Sequence, residues 1–346
     1  MILEDLRVVN FRNYEDKLIH PDKKLTEIVG SNGIGKTNLL EAISLVCCGG
    51  SFRIKKDLNL IQEGQNWARI EANFDLDGRK EKRVIKLSLV LGNTEILTTK
   101  KLEIDGVNRL PSKRLLPIVI FEPDQMRMIT EGPDLRRSYL DARIGFLDPI
   151  YVKNLTDYKR ALAQRNRLLK LIKSGRGQKE DLFVWHVKLS ELAAPIVARR
   201  KKYLQNLADG LQKDYQRISK KEDLVEVGYL PNFFREEQYK FSSEMFTKLE
   251  SSVEKDILTG FTKTGPHRDD FKIRLNGKDA ATGASRGEIR TMMLSLKLYE
   301  YEHLKTSFGI RPLVLLDDVM SELDKNRRRE LLSFFGDAQV IMSGVA

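Results

Sequence analysis

Cysteine is all but missing from this chain. There are two among 346 residues, the neighbours Cys47 and Cys48. Adjacent side chains on a helix point apart and rarely bridge, which excludes a disulfide framework. The pair reads as small buried side chains. Histidine is as scarce. His20, His186, His267 and His303 are scattered without the spacing of a zinc site, so no structural metal is expected. Long apolar runs are absent too, and nothing approaches the roughly 18 residues that a membrane-spanning helix requires. The first residues alternate like a strand and carry acids early, unlike a signal or transit peptide. A cytoplasmic chain with no membrane partner is expected.

What the chain has in excess is positive charge. Lys and Arg number 60 against 49 acids, a net charge of +11. That balance favours a polyanionic partner such as DNA or RNA, although many basic proteins bind no nucleic acid. The length suffices for one large domain or two modest ones with a real core.

Residues 1–125 read as mostly β with one good helix. Apolar or alternating runs at 3–9, 25–29, 68–76, 84–91 and 115–121 are separated by the turn pairs Asp77-Gly78, Gly92-Asn93 and Asp105-Gly106. The last two runs and their turns predict an antiparallel meander. From about 134 to 220 the chain turns to Leu, Lys, Arg, Ala and Gln at helical spacing. Leu155, Leu162, Leu169 and Ile172 share one face of a helix that ends at Ser174-Gly175-Arg176-Gly177. Leu182, Trp185, Leu189, Leu192 and Ile196 mark a second helix, which Pro195 should kink. At about 1.5 Å per residue this hairpin is at most ~60 Å long, a compact arm whose leucines are ordinary helix core. Further on, strands are predicted at 224–227, 270–275, 313–316 and 339–342, and helices at 288–304 and 326–335.

The densest signal is Gly30-Ser31-Asn32-Gly33-Ile34-Gly35-Lys36-Thr37, a complete G-x-x-x-x-G-K-[ST] phosphate-binding loop. It follows a strand-like run and opens a helix-like segment at Asn38, the context the motif needs. Glycines let the backbone fold around a triphosphate with N–H groups turned inward, and the helix N-terminus adds positive potential. Lys36 is placed to reach the β- and γ-phosphates, and Thr37 to hold Mg²⁺.

Such a loop needs carboxylates to complete it. Leu313-Val314-Leu315-Leu316 predicts a buried strand whose carboxyl end presents Asp317 and Asp318. Asp317 would sit by Mg²⁺ opposite Thr37, and Asp318 would orient or deprotonate the attacking water. Ahead of the strand, Ala284-Ser285-Arg286-Gly287-Glu288 opens a long helix; behind it comes Ser321-Glu322-Leu323-Asp324. The short S-x-G-[EQ] motif is weak alone. Its position is not: a helix start, about 25 residues, the two-carboxylate strand and an S-E-L-D turn. That order resembles the signature, Walker B and D-loop succession of ABC-type ATPases. In that class a subunit does not complete its own site. The resemblance implies that Ser285 and the N–H groups of Gly287 and Glu288 reach a γ-phosphate bound by a second subunit. ATP is then the glue of a head-to-tail homodimer, and hydrolysis releases it.

Further residues narrow the resemblance. They are Leu6 with Phe11-Arg12-Asn13-Tyr14; Asn38-Leu39-Leu40-Glu41-Ala42; Phe121-Glu122-Pro123-Asp124; Gly132-Pro133 with Arg136-Arg137-Ser138-Tyr139-Leu140-Asp141; and Thr264-Gly265-Pro266-His267-Arg268-Asp269-Asp270. Almost end to end, the chain resembles the RecF family of bacterial recombination-repair ATPases, short-armed relatives of the SMC proteins. The resemblance implies an α/β fold, with an ABC-type P-loop ATPase head of mixed β subdomains with helices over 1–130 and 263–346. A compact α-helical second lobe with a short antiparallel arm would occupy 131–262. It implies ATP and Mg²⁺ as cofactors, a weak DNA-stimulated ATPase, and an ATP-dependent homodimer on gapped DNA and single-strand/double-strand junctions. It implies a nucleoid-associated role in recombinational repair and replication-fork maintenance, with RecO and RecR helping RecA to load. Catalytic residues would be Lys36, Asp317, Asp318 and Ser285. Around the nucleotide would lie Arg12, Gly30, Ser31, Asn32, Gly33, Ile34, Gly35, Lys36, Thr37, Asn38, Gln125, Gly287, Glu288 and Asp324, with Thr37 and Asp317 on Mg²⁺.

Several residues keep two readings. Gln125 is a candidate nucleotide ligand, but the segment favours a structural linker. Residues 264–270 favour a structural turn, with Arg268 paired to a carboxylate, over a catalytic element. Arg136, Arg137 and Arg327-Arg328-Arg329 are phosphate contacts or a solvated basic face. Arg199-Arg200-Lys201-Lys202 favours a solvated helix face over DNA contact. Asp318 stands where transporters carry Glu, a departure the family shares, and slow turnover is expected. Family members continue past the last strand with a Thr-rich switch, and Ser343 is the candidate for that place. The alternative is an ABC-type ATPase with a non-DNA partner, a transporter-like subunit or an ATP-binding scaffold. About 250 residues separate Lys36 from Ser285, with a basic helical lobe among them, which argues against a transporter subunit. The intact Lys36, Thr37, Asp317 and Asp318 argue against a scaffold.

Overall fold

Alternating apolar residues make the start of the chain a strand, β1 (Ile2–Phe11), which buries Leu3, Leu6 and Val8. The computed structural model describes the chain except residues 32, 54–55, 92–95, 111–114, 234–239, 320–330 and 345–346 and the side chains of Ile96 and Pro123. After β1 come β2 (Tyr14–Ile19), β3 (Leu25–Val29), α1 (Lys36–Cys48), β4 (Trp67–Leu76), β5 (Arg79–Leu91), β6 (Ile96–Ile104), β7 (Val107–Arg109) and β8 (Ile118–Phe121). Helices α2 (Arg127–Thr130), α3 (Pro133–Leu147), α4 (Pro149–Lys173) and α5 (Leu182–Ser219) follow, then β9 (Val225–Leu230), α6 (Phe241–Ser251) and α7 (Val253–Thr259). The chain closes with β10 (Asp270–Leu275), β11 (Lys278–Asp279), α8 (Ala280–Gly283), α9 (Arg286–Phe308), β12 (Leu313–Leu316) and β13 (Val340–Gly344). Two compact units result, one of Met1–Gln125 with Leu294–Ala346, the other of Met126–Met293.

The first unit holds an antiparallel sheet in the order β2-β1-β4-β5-β6-β7 and a parallel sheet in the order β3-β13-β12-β8. Helix α1 buries Leu39, Leu40, Ile43 and Val46 in one core with Leu6, Ile70 and Phe74 of the first sheet and Leu313 and Ile341 of the second. A helix apolar all round is one covered on every side. Each such side chain contributes about 1.5–3 kcal/mol, so Ile43→Asp would break this core and leave a charge unpaired within it. All four side chains of β12 are buried. Its unbroken apolar run marks a strand covered on both faces.

The predicted meander is corrected here. The run at 84–91 does join an antiparallel ladder, but with β6, where Thr98, Thr99, Lys100 and Lys101 interrupt the apolar residues. The run at 115–121 contributes β8 to the parallel sheet beside β12. Its residues are almost continuously apolar and buried, the pattern of a parallel strand.

In the second unit Asp148 caps α4 by accepting the Tyr151 N–H, with Pro149 at the first helical position, where no N–H is needed. The turn after α4 carries Gly175 at φ 75°, and α5 packs back along α4. Pro195 lies inside α5, which runs on to Ser219. The buried stripe Leu189, Ala193, Ile196, Arg200, Leu204, Leu207 and Leu211 has helical spacing, but one member is an arginine. A small antiparallel sheet, β11-β10-β9, completes the unit.

Candidate nucleotide-binding site

The phosphate loop leaves β3 at Val29 and enters α1 at Lys36. Gly35 holds φ 109°, where a Cβ would also lie 2.5 Å from Asn13 Oδ1. Among the described residues no side chain caps α1, and its first turn carries no acid. The N–H groups of Lys36 and Thr37 precede the first intrahelical bond, which Asn38 makes to the Gly35 carbonyl at 2.8 Å, and the helix end turns its positive potential toward the loop. Such an end suits an external anion. Lys36 is buried, its ammonium donating to the carbonyls of Gly30 at 2.7 Å and Ser31 at 3.1 Å. Gly33 takes φ 84°. Asn32 lies outside the described residues.

Asp317 stands at the end of β12. Thr37 Oγ1 donates to Asp317 Oδ1 at 2.7 Å, and Ser343 Oγ lies 2.9 Å from the same oxygen. Burial pushes the Asp317 carboxyl above its ordinary pKa, while the bonds from Thr37 and Ser343 pull it down. Asp318 follows with a left-handed backbone, φ 50°. Its N–H donates to Ser343 Oγ at 2.8 Å.

Around the loop, Arg12 is tied to Glu41 of α1 by two bonds of 2.8 Å, and Ser51 donates to Glu41 Oε1 at 2.5 Å. Asn13 donates to the Ile34 carbonyl at 2.7 Å and accepts from Asn38 at 2.8 Å. Arg53 donates to Asn38 Oδ1 at 3.1 Å. Arg53 also lowers the Asp317 pKa through space, the smallest influence on it. Gln125 donates to Glu122 at 2.6 Å, within the short helical turn that follows β8.

Ser285, Gly287 and Glu288 belong to the second unit. Ser285 is exposed and forms a reciprocal cap with Glu288 at the start of α9: Ser285 N–H donates to Glu288 Oε2 at 2.7 Å, and Glu288 N–H to Ser285 Oγ at 3.3 Å. These bonds hold the Glu288 carboxyl below its usual pKa. Gly287 accepts from Thr291 at 3.0 Å. Asp324 and the arginines at 327–329 lie outside the described residues.

Three sequence readings in this unit are corrected. Arg136 is buried and grips Asp270 with two bonds of 2.7 and 2.9 Å. Arg137 donates to the Asp269 carbonyl at 2.7 Å and to Asp134. Neither residue is a solvated basic face. Arg200 is likewise core, bound to Asp141 at 2.7 Å and to the Pro266 carbonyl at 2.6 Å. In the 264–270 turn an arginine from elsewhere holds the Asp270 carboxylate, while the Asp269 carboxylate accepts from the Tyr229 hydroxyl and from the Asn232 N–H at 2.8 Å. Arg268 itself is exposed and has no carboxylate partner among the described residues.

Sequence reasoning missed Glu41, Asn13 and Arg53 as site residues. A signal existed for Glu41: a lone acid inside the apolar run of α1 needs a cation. Asn13 and Arg53 lack one, because their partners are brought by the fold.

The chain matches the family model of the RecF/RecN/SMC N terminal domain over residues 2–343. It is 32% identical over 347 residues to the DNA replication and repair protein RecF of Acetivibrio thermocellus, with 99% of this chain and 93% of the relative covered. A solved structure of RecF-ATPrS, a recombination mediator protein in the RecFOR pathway, aligns with a TM-score of 0.91 at 33% identity, over 99% of this chain and 92% of the other. The RecF-ATP structure of the same pathway aligns at 0.89 and 34%, over 100% and 92%.

Proposed function

The chain belongs to the RecF family of ATPases, and on that premise we propose that it is an ATP-dependent DNA-binding protein of recombinational repair and replication-fork maintenance. Its fold is the ABC-type ATPase head with a helical second lobe. The observation that carries the functional reading is the 2.7 Å bond between Thr37 and Asp317, which joins the phosphate loop to the carboxylate strand across 280 residues of sequence.

The residues fit Mg²⁺–ATP. An uncapped helix N-terminus behind left-handed glycines suits a triphosphate. Thr37 and Asp317 offer hard oxygen donors, and Mg²⁺ is commonly held by one or two protein groups together with phosphates and waters. When bound, the ion neutralises charge that develops on the transferred phosphoryl group. Lys36 would bind the β- and γ-phosphates, and Thr37 and Asp317 would hold the metal. Arg12, steadied by Glu41, would add a cation beside the loop, while Asn13 and Asn38 hold the loop's shape. Asp318 would take the proton of the attacking water.

A second copy would complete the site with Ser285 and the N–H groups of Gly287 and Glu288, so that ATP closes a dimer on DNA and slow hydrolysis opens it. The net charge of +11 supports a polyanionic partner. Gapped DNA and single-strand/double-strand junctions are the proposed substrate. Stimulation of a weak ATPase by DNA, and help to RecA loading with RecO and RecR, belong to the same proposal.

Fluorescence anisotropy of labelled gapped DNA, titrated with protein with and without ATP and Mg²⁺ at physiological salt, tests the reading. Tightening by ATP is expected and should be lost in Ser285→Arg. Binding indifferent to ATP and to Ser285 would overturn the clamp.

A further inference from the structure

The backbone at Asp318 departs from the strand that delivers it. Asp317 still donates its N–H to the Phe121 carbonyl at 2.9 Å, continuing the β12–β8 ladder. The next residue turns into the left-handed region, φ 50°, which an aspartate tolerates but does not favour. Its N–H has left the sheet and is met by Ser343 Oγ at 2.8 Å. The same hydroxyl lies 2.9 Å from Asp317 Oδ1 and 3.4 Å from Asp318 Oδ1. A hydroxyl has one proton to give, and the shorter contact takes it. Ser343 therefore donates to Asp317 and accepts from Asp318.

The hydroxyl is fixed from behind. Ser343 is buried on β13, and β13 pairs with β3 through Ser343 against Ile28 and Gly344 against Val29. β3 is the strand that runs into the phosphate loop. One side chain thus ties both carboxylates to the element that places Lys36 and Thr37.

We propose that Ser343 is a positioning residue for hydrolysis: its single hydroxyl keeps Asp317 against Thr37 and pins the Asp318 amide, so that the second carboxylate leaves the sheet in one fixed direction. This rests on the ATPase reading above. Alanine at this position leaves the Asp318 N–H without its acceptor and Asp317 with one donor fewer. Threonine keeps the hydroxyl. The loss should therefore appear in turnover and not in nucleotide binding.

The test compares the full chain with Lys36→Ala, Ser343→Ala and Ser343→Thr in two measurements, steady-state ATP hydrolysis with Mg²⁺ and gapped DNA, and affinity for a fluorescent ATP analogue. The parent should hydrolyse ATP and Lys36→Ala should not. Ser343→Ala should lose on the order of tenfold to a hundredfold in kcat, the cost of a catalytic group set slightly astray, with analogue affinity unchanged. Ser343→Thr should recover most of the loss. An active parent with an equally active Ser343→Ala overturns the inference alone. So does a Ser343→Ala chain whose analogue affinity falls in step with kcat, because the hydroxyl is then part of binding or folding. A parent no faster than Lys36→Ala overturns the ATPase reading, and the inference falls with it.

Discussion

Arg12 and Glu41 face each other in a two-pronged ion pair, with Nε and Nη2 each 2.8 Å from a separate carboxylate oxygen. The Glu41 side chain is fully buried and Arg12 is 19% exposed, so the carboxylate depends on this partner. Breaking a buried pair from one side leaves the other charge stranded, typically at a cost of about 3–5 kcal/mol. Arg12→Ala should lower unfolding free energy by a value toward the lower end of that range, measured by urea denaturation. Arg12→Ala with Glu41→Gln should recover part of it, since no charge is then left buried.

Gly35→Ala meets two obstacles at once. The residue sits at φ 109°, and the new Cβ would lie 2.5 Å from Asn13 Oδ1. Asn13 also holds the Ile34 carbonyl and Asn38, so it has little freedom to retreat. Affinity for an ATP analogue should fall by roughly tenfold or more, about 1.4 kcal/mol. Asn13→Ala in the same chain should not restore it, because the backbone strain persists. Full recovery would show that the clash alone decides.

Asp318→Asn keeps the shape of the side chain and removes its basicity. Single-turnover hydrolysis should drop by about 10²–10⁴-fold, the usual contribution of a positioned base, while ATP binding persists. An undiminished rate would exclude Asp318 as the base.

The second unit should lose stability in mild acid. His267 donates from Nε2 to the Thr262 carbonyl at 2.9 Å, which leaves Nδ1 of the neutral ring to accept from the Tyr158 hydroxyl at 2.8 Å. Burial pushes its pKa from 6.5 down to about 4, and burial does the same to His186. Well above pH 6.5 both histidines are neutral, folded or unfolded, and contribute almost no pH dependence. Between 6.5 and 4 the unfolded chain binds protons that the folded chain refuses, so stability falls as pH falls, by up to about 1.4 kcal/mol per unit for each group. Denaturant midpoints at pH 7.5 and 5 read this, and His267→Gln should flatten the difference. A midpoint that rises toward pH 5 would contradict the assignment.

How much was legible depended on how local each signal was. The phosphate loop, β12 with its two acids and the α4–α5 hairpin were readable because each is written in consecutive residues. β6 was missed because Thr98-Thr99-Lys100-Lys101 breaks its apolar pattern, and only pairing with β5 makes it a strand. Arg200 was misread because a run of four basic residues looks like a solvated face. Its acid, Asp141, lies 59 residues earlier and had no visible link to it.

By itself the sequence determined the chemistry on offer: a glycine-rich loop, a lysine, a threonine and two carboxylates, each in the local context that its backbone requires. Only the tertiary structure decided which of them meet. Thr37 and Asp317 touch across 280 residues, and Ser343 joins both acids from the last strand. Strand order in the parallel sheet sets those distances. A sheet is held by hydrogen bonds between backbones, which carry no record of side-chain identity, so the pairing of β3, β13, β12 and β8 could not be read from the residues themselves. The burial of Glu41 and Arg200 has the same origin: a charge is stable inside a protein only where the fold brings its partner.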